Sequence, residues 1–137
     1  MIRAATAFAL LLLVSTALAG CSIAAVGGGE EILIVAGERD GGMYFEPSAV
    51  TVPIGKEVTF VIKNEGSIDH EFESIEKGEA GIEEIIVPAG LTRRVHWTAP
   101  SDPATYPVYC DLPGHRAAGM ELTLVVVEGS SSPQSVR

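Results

Sequence analysis

Apolar residues in this chain fall into short segments, several of which alternate with polar residues. Val58, Phe60 and Ile62 alternate in this way near the middle of the chain. Because successive side chains of a strand point to opposite faces, these three residues predict one buried face. Segments of this kind predict seven strands, at 31–36, 49–52, 58–63, 84–87, 93–98, 106–110 and 121–127.

Glycine and proline recur between these segments at about the interval that is typical of an antiparallel sandwich. Gly41-Gly42 and the stretch 100–103 are examples. No segment has a strong helical pattern, since Gly78 and Gly81 weaken the one irregular helical turn that 76–86 could hold. We therefore predict an all-β fold, a Greek-key β-sandwich or barrel of about seven to eight strands.

Residues 1–20 have the plan of a secretory signal peptide. Arg3 precedes an apolar run at 4–14 that is too short to span a bilayer comfortably. The following Leu18-Ala19-Gly20-Cys21 resembles the lipobox of bacterial lipoproteins, in which the cysteine is lipidated and becomes the mature N-terminus. Ordinary cleavage with an unmodified Cys21 is the alternative. We expect export, with a lipid anchor at Cys21 that holds the protein to a membrane facing the periplasm or the cell exterior.

The chain length of 137 residues leaves room for one domain between these ends. Residues 21–30, which include three consecutive glycines, predict a lipidated flexible tether. Residues 129–137, rich in serine, predict a disordered tail. The folded domain is therefore expected at 31–128.

The charge balance is acidic, with a formal net charge of −9. Loss of Arg3 with the signal would make the mature chain still more acidic, so nucleic acid is not an expected partner. Six glutamates lie between Glu71 and Glu84, relieved only by Lys77. This run is interpreted either as a solvated face or as a docking patch for a basic redox partner.

A metal-ligand pattern lies in the last third of the chain. Cys110, His115 and Met120 follow one another with four residues in each interval. They are too few for a closed zinc site, and two sulfur ligands favour a soft metal. A blue-copper site needs one more histidine. His70, after a strand and a turn-like stretch, is a better candidate than His96, which lies within a predicted strand.

With Phe45-Glu46-Pro47, His70-Glu71-Phe72 and Ala99-Pro100, this loop resembles the cupredoxins, the small blue copper proteins. The resemblance covers roughly residues 43–128. The loop spacing is most similar to that of rusticyanin, sulfocyanin and auracyanin. Membership would imply the cupredoxin fold and one copper ion per chain that alternates between Cu(I) and Cu(II).

The resemblance also implies a role for each ligand. Cys110 would bind as the thiolate, His70 and His115 as neutral imidazoles, and Met120 as a weak axial ligand. His115 would be the route by which electrons enter or leave. Glu71 stands where many cupredoxins have the asparagine that hydrogen-bonds the cysteine loop.

Two functions remain open, and a third is disfavoured. The first is an electron carrier, expected to be a monomer, that serves a redox protein such as a cytochrome or a component of a terminal oxidase or reaction centre. The alternative is a copper-binding carrier or storage protein without a redox role. An enzyme is not expected, because the sequence has no second cysteine in the ligand loop and no nucleophile with a base.

Overall fold

The computed structural model describes residues 29–75 and 80–129 and the backbone of 134–136. These residues form ten strands and no helix. The strands are β1 (Glu30–Arg39), β2 (Gly42–Glu46), β3 (Ala49–Pro53), β4 (Glu57–Asn64), β5 (His70–Ser74), β6 (Ile82–Val87), β7 (Thr92–Thr98), β8 (Ala104–Tyr109), β9 (Glu121–Val127) and β10 (Gln134–Val136). In the same part of the chain, nothing has the helical length and hydrophobicity that a membrane span requires.

The strands form two sheets. The smaller sheet has the order β2-β1-β4-β7, and the larger has the order β10-β3-β9-β8-β5-β6. Most neighbours are antiparallel, but β1 runs parallel to β4 and β3 runs parallel to β9. The sheets enclose an apolar core, so the predicted all-β sandwich is confirmed.

Aromatic rings join the two sheets. Phe72 in β5 contacts Phe45 and Phe60 of the smaller sheet, with 5.5 Å between ring centroids in each pair. Phe60 also contacts Trp97, at 5.8 Å. All four residues are buried, and aromatic contacts of this kind stabilise a core beyond the area that they bury. Phe72 therefore fixes β5, and with it the first residue of that strand, His70, against the opposite sheet.

The seven predicted strands correspond to β1, β3, β4, β6, β7, β8 and β9. Three further strands were not predicted. β2 and β5 lack the clear alternation of apolar and polar residues that marks the others, and β10 has only three residues. The disordered tail at 129–137 stays a prediction; within it, the described backbone of Gln134–Val136 pairs with β3.

Two other interpretations need correction within the described residues. The segment that could have held a helical turn contributes Ile82–Val87 to a strand instead. The acidic run is not a uniformly solvated face, because Glu71 and Glu73 are buried whereas Glu83 and Glu84 are exposed. The reason is that β5 is buried along its whole length, between its sheet neighbours β6 and β8.

Truncation of Phe60 should therefore be costly. We predict that Phe60→Ala lowers the free energy of unfolding by about 3–5 kcal/mol, because it leaves a cavity among packed rings. Leu33, on the adjacent strand β1, is 55% exposed, and Leu33→Ala should change stability by only about 0.5 kcal/mol. Urea unfolding of both variants measures the difference. Equal losses would contradict the assignment of Phe60 to the centre of the core.

Candidate metal centre

Strand β5 carries His70 into the interior. Its five residues are all buried, and His70 is fully enclosed. His70 is in register with Val87 of β6, and Glu73 is in register with Tyr109 of β8. Because Cys110 directly follows Tyr109, this pairing brings two residues that are forty positions apart in sequence to one end of the sandwich.

The segment between Cys110 and β9 is a compact turn. The Cys110 N–H donates to the Met120 carbonyl at 3.2 Å, and the Met120 N–H donates to the His115 carbonyl at 3.1 Å. The His115 N–H in turn donates to the Leu112 carbonyl at 3.0 Å. These main-chain bonds fix the positions of Cys110, His115 and Met120 relative to one another before any metal binds.

Strand β2 holds this turn from the other sheet. The Met43 N–H donates to the Ala118 carbonyl at 2.9 Å. Gly119 has φ +101°, which side chains rarely adopt, and a Cβ there would lie 3.3 Å from the Met43 carbonyl oxygen. Glycine at this position therefore allows the turn to close against β2.

Three potential ligands converge at this end of the fold. His115 Nδ1 lies 3.3 Å from Cys110 Sγ and 3.3 Å from His70 Nδ1. One ligand atom from each of the three residues lies within 4.8 Å of the others. Two nitrogens at this separation can both bind one ion at about 2.0 Å, a usual metal–imidazole length. One thiolate and two imidazoles are the equatorial donor set of a blue-copper site, so the residues fit copper.

In the metal-free protein, burial favours the uncharged forms of Cys110 and His70. It raises the pKa of the Cys110 thiol above its ordinary value, although main-chain groups of Glu71 and Leu112 hydrogen-bond the sulfur and oppose the shift. It lowers the pKa of His70, against the favourable effect of a neighbouring Glu38. At neutral pH, Cys110 is therefore a thiol and His70 a neutral imidazole.

Glu71 links the two parts of the chain that carry ligands. Its N–H donates to Cys110 Sγ at 3.2 Å. Its carboxylate accepts a hydrogen bond from the Asp111 main chain, and burial raises the pKa of this carboxyl. Glu71 thus hydrogen-bonds the cysteine loop from the position at which many cupredoxins have an asparagine.

The other predicted site residues have distinct positions. Met120 is fully buried directly before β9, and its role as axial ligand stays a prediction. His96 is exposed on β7, outside the cluster, with Nδ1 2.9 Å from the Thr59 hydroxyl. Cys21 lies outside the described residues, and the lipid anchor stays a prediction.

The cluster is sealed on one side and open on the other. His70 is completely buried, whereas His115 is partly exposed. The residues around His115 include the exposed Pro113, Gly114 and Ala117. The His115 ring is therefore the part of the cluster that a partner molecule can approach.

Glu38 is a contact that the sequence did not reveal. Its Oε1 lies 3.0 Å from His70 Nε2, and its Oε2 accepts hydrogen bonds from the Ser67 N–H at 2.9 Å and hydroxyl at 3.2 Å. The Ser67 main-chain bond holds the pKa of Glu38 below its ordinary value. Glu38 is one of eighteen acidic residues, and no local motif distinguishes it.

The buried thiol gives a direct test. We predict that alkylation of Cys110 by iodoacetamide in the metal-free protein is at least about tenfold slower at pH 7.5 than in urea, since only the thiolate reacts. The rate should rise as the pH approaches the raised pKa. The Cys21→Ser variant leaves Cys110 as the only thiol. Equal rates in the folded and unfolded protein would show that burial does not protect this sulfur.

Known proteins share parts of this structure and sequence. A 32-residue segment is 56% identical to the copper-resistant cuproprotein CopI of Pseudomonas aeruginosa, a match of 23% of this chain and 18% of that protein. The structure of a reduced auracyanin from Roseiflexus castenholzii matches with TM-score 0.58 and 21% identity, over 74% of this chain and 99% of the auracyanin.

The fold also occurs within enzymes. A copper-containing nitrite reductase from Thermus scotoductus matches with TM-score 0.61 and 12% identity, over 81% of this chain but 33% of the reductase. At these identities the structural matches establish the fold alone, and the fold does not decide between carrier and enzyme. The family model for the cupredoxin-like domain matches residues 5–135. The chain therefore belongs to the cupredoxin family.

Proposed function

We propose that this protein is a mononuclear blue copper protein that carries single electrons. The observation that carries the proposal is the convergence of His70 Nδ1, Cys110 Sγ and His115 Nδ1 at one end of a cupredoxin sandwich. This donor set is the one that blue-copper electron-transfer sites use. The buried Met120 adds a candidate weak axial ligand.

The chain holds its ligands in place independently of metal. The Cys110 N–H donates a hydrogen bond to the Met120 carbonyl, and its sulfur accepts one from the Glu71 N–H. His70, in β5, is fully buried. Bound copper would supply a one-electron couple between Cu(I) and Cu(II). Ligands that move little between the two oxidation states keep the reorganisation energy small, and this favours rapid electron exchange.

His115 is the proposed route for electrons. Its Nδ1 belongs to the cluster while the ring is partly exposed, so the imidazole connects the site to the surface. The small exposed residues beside it form a surface on which a partner can dock closely. A hydrogen-bonded turn holds this surface, so its shape does not depend on a partner.

The proposed partner is another redox protein at a membrane, such as a cytochrome or a component of a terminal oxidase or reaction centre. Exposed Glu83 and Glu84 on β6 offer negative charge to a basic partner. Such charges mainly raise the association rate and make it sensitive to salt. The proposed lipid anchor at Cys21 and the glycine-rich tether would keep the domain near that membrane.

A second candidate is a copper-delivery or storage protein. The observation in its favour is the 32-residue similarity to CopI, a copper-resistant cuproprotein, although the match spans less than a fifth of that protein's length. A delivery protein needs a site that opens to release its metal. The enclosed His70 and the bonded Cys110 instead support retention of the metal. An enzymatic role is not proposed.

Copper loading gives the first test. We predict one copper per chain and an intense visible absorption in the oxidised protein, caused by charge transfer from the Cys110 thiolate. Cys110→Ala should abolish the absorption, because it removes the sulfur. His70→Ala should also lose the colour, because it removes a ligand of the cluster. His96→Ala, which removes a histidine outside the cluster, is its matched control and should keep the colour. A colourless Cu(II) form, or two coppers per chain, would refute the proposal.

Kinetics distinguish electron transfer from delivery. We predict fast electron self-exchange and slow loss of copper to a competing chelator. Ala117→Glu, which adds a charge beside His115, should slow self-exchange by about tenfold through like-charge repulsion and leave copper loss unchanged. Thr98→Glu is the control, because it adds the same charge at the exposed last residue of β7. Slow self-exchange with ready copper transfer would favour delivery.

A further inference from the structure

Glu38 is the carboxylate that contacts a proposed copper ligand from the opposite sheet. It is the penultimate residue of β1, in the smaller sheet, whereas its partner His70 is the first residue of β5, in the larger sheet. The two residues are thirty-two positions apart. This contact is separate from the network through which the ligand loop and Glu71 hold Cys110.

The contact determines which nitrogen of His70 carries the proton. Oε1 of Glu38 lies 3.0 Å from His70 Nε2. An ionised carboxylate can only accept hydrogen bonds, so Nε2 must donate. The neutral imidazole then has its lone pair on Nδ1, the atom that lies 3.3 Å from His115 Nδ1 in the cluster. Glu38 thus selects the tautomer that metal binding at Nδ1 requires.

The carboxylate itself is held by the loop that leads to His70. The N–H and hydroxyl of Ser67 both donate to Oε2. At Gly66, a Cβ would lie 2.3 Å from Oε1, so a side chain at this position would force the Glu38 carboxylate to shift. Buried Asn64 shapes the same loop, because its amide donates to the Ile68 carbonyl and its oxygen accepts from the Gly66 N–H. The loop therefore has space and donors for this carboxylate.

We propose that Glu38 is a positioning residue for His70, and that its charge lowers the reduction potential of the site. The inference rests on the proposed copper function. A carboxylate bonded to the far nitrogen of a ligand histidine orients the ring and makes it a stronger donor. A negative charge near the metal also stabilises Cu(II) more than Cu(I), and the enclosed position of His70 limits screening by water.

The charge is tested by Glu38→Gln, made in the full-length chain. Glutamine can still accept the hydrogen bond from Nε2 but carries no charge. We expect the preference for Cu(II) over Cu(I) to fall about tenfold, a rise in potential of about 59 mV for a one-electron couple. Glu31→Gln is the matched control: it removes the same charge from the same strand at an exposed position that pairs with Arg94. Equal shifts in the two variants would overturn the role of the Glu38 charge.

Positioning is tested in the metal-free protein by nitrogen-15 NMR of the histidine rings at pH 8. Wild type and Glu38→Gln should show His70 with its proton on Nε2, whereas Glu38→Ala and Gly66→Ala should lose this preference. Thermal unfolding establishes that each variant is folded. A proton on Nδ1 of His70 in the folded wild type, or an unchanged tautomer in folded Glu38→Ala, would overturn the positioning role.

The two readouts separate this inference from the function on which it rests. A wild-type protein that binds no copper would refute the proposed function, and the tautomer of His70 would still report on positioning. A blue wild-type protein with the potential of Glu38→Gln unchanged would refute the effect of the Glu38 charge and leave the copper function intact.

Discussion

The burial of strand β5 is the constraint on which the site depends. The strand lies between β6 and β8 in the larger sheet, and Phe72 extends from it to Phe45 and Phe60 of the other sheet. Strand β5 cannot shift, and His70 cannot move with it, unless this aromatic contact is broken. The Glu71 N–H then reaches Cys110 Sγ, so the same strand positions both the first histidine and the sulfur. The metal site therefore depends on the packing of the core.

This arrangement resolves a conflict between burial and charge. A thiolate and two imidazoles must be available to a metal, yet an isolated charge in the interior is costly. In the metal-free protein, burial favours the thiol of Cys110 and the neutral ring of His70. The main-chain groups that oppose the shift at Cys110 already hydrogen-bond the sulfur, and they would stabilise the thiolate form that binds a metal cation. The metal-free protein thus already has the ligands in place while Cys110 and His70 are uncharged.

The sequence was most informative where the chemistry is local. Cys110, His115 and Met120 belong to one turn, so their spacing could be read directly, and alternation identified strands such as β4. Strand β5 was missed because polar residues fill four of its five positions and all five are buried, which breaks the alternating pattern. Glu38 was missed for a different reason. It acts on His70 across two sheets, and a contact between distant residues leaves no periodic signal.

The two histidines of the cluster therefore have different surroundings, and this difference suits a carrier. His115 is partly exposed among small residues, whereas His70 is sealed and bonded to a carboxylate that the Ser67 loop holds. In the proposed carrier, an electron would pass through the exposed ring, while the carboxylate bonded to the enclosed ring would set the electrostatic environment of the copper. Because the two tasks belong to different residues on different strands and loops, the docking surface can change without disturbing the charge behind the site. A site that released its metal would instead need His70 or Cys110 to move, and the packing of β5 opposes that movement.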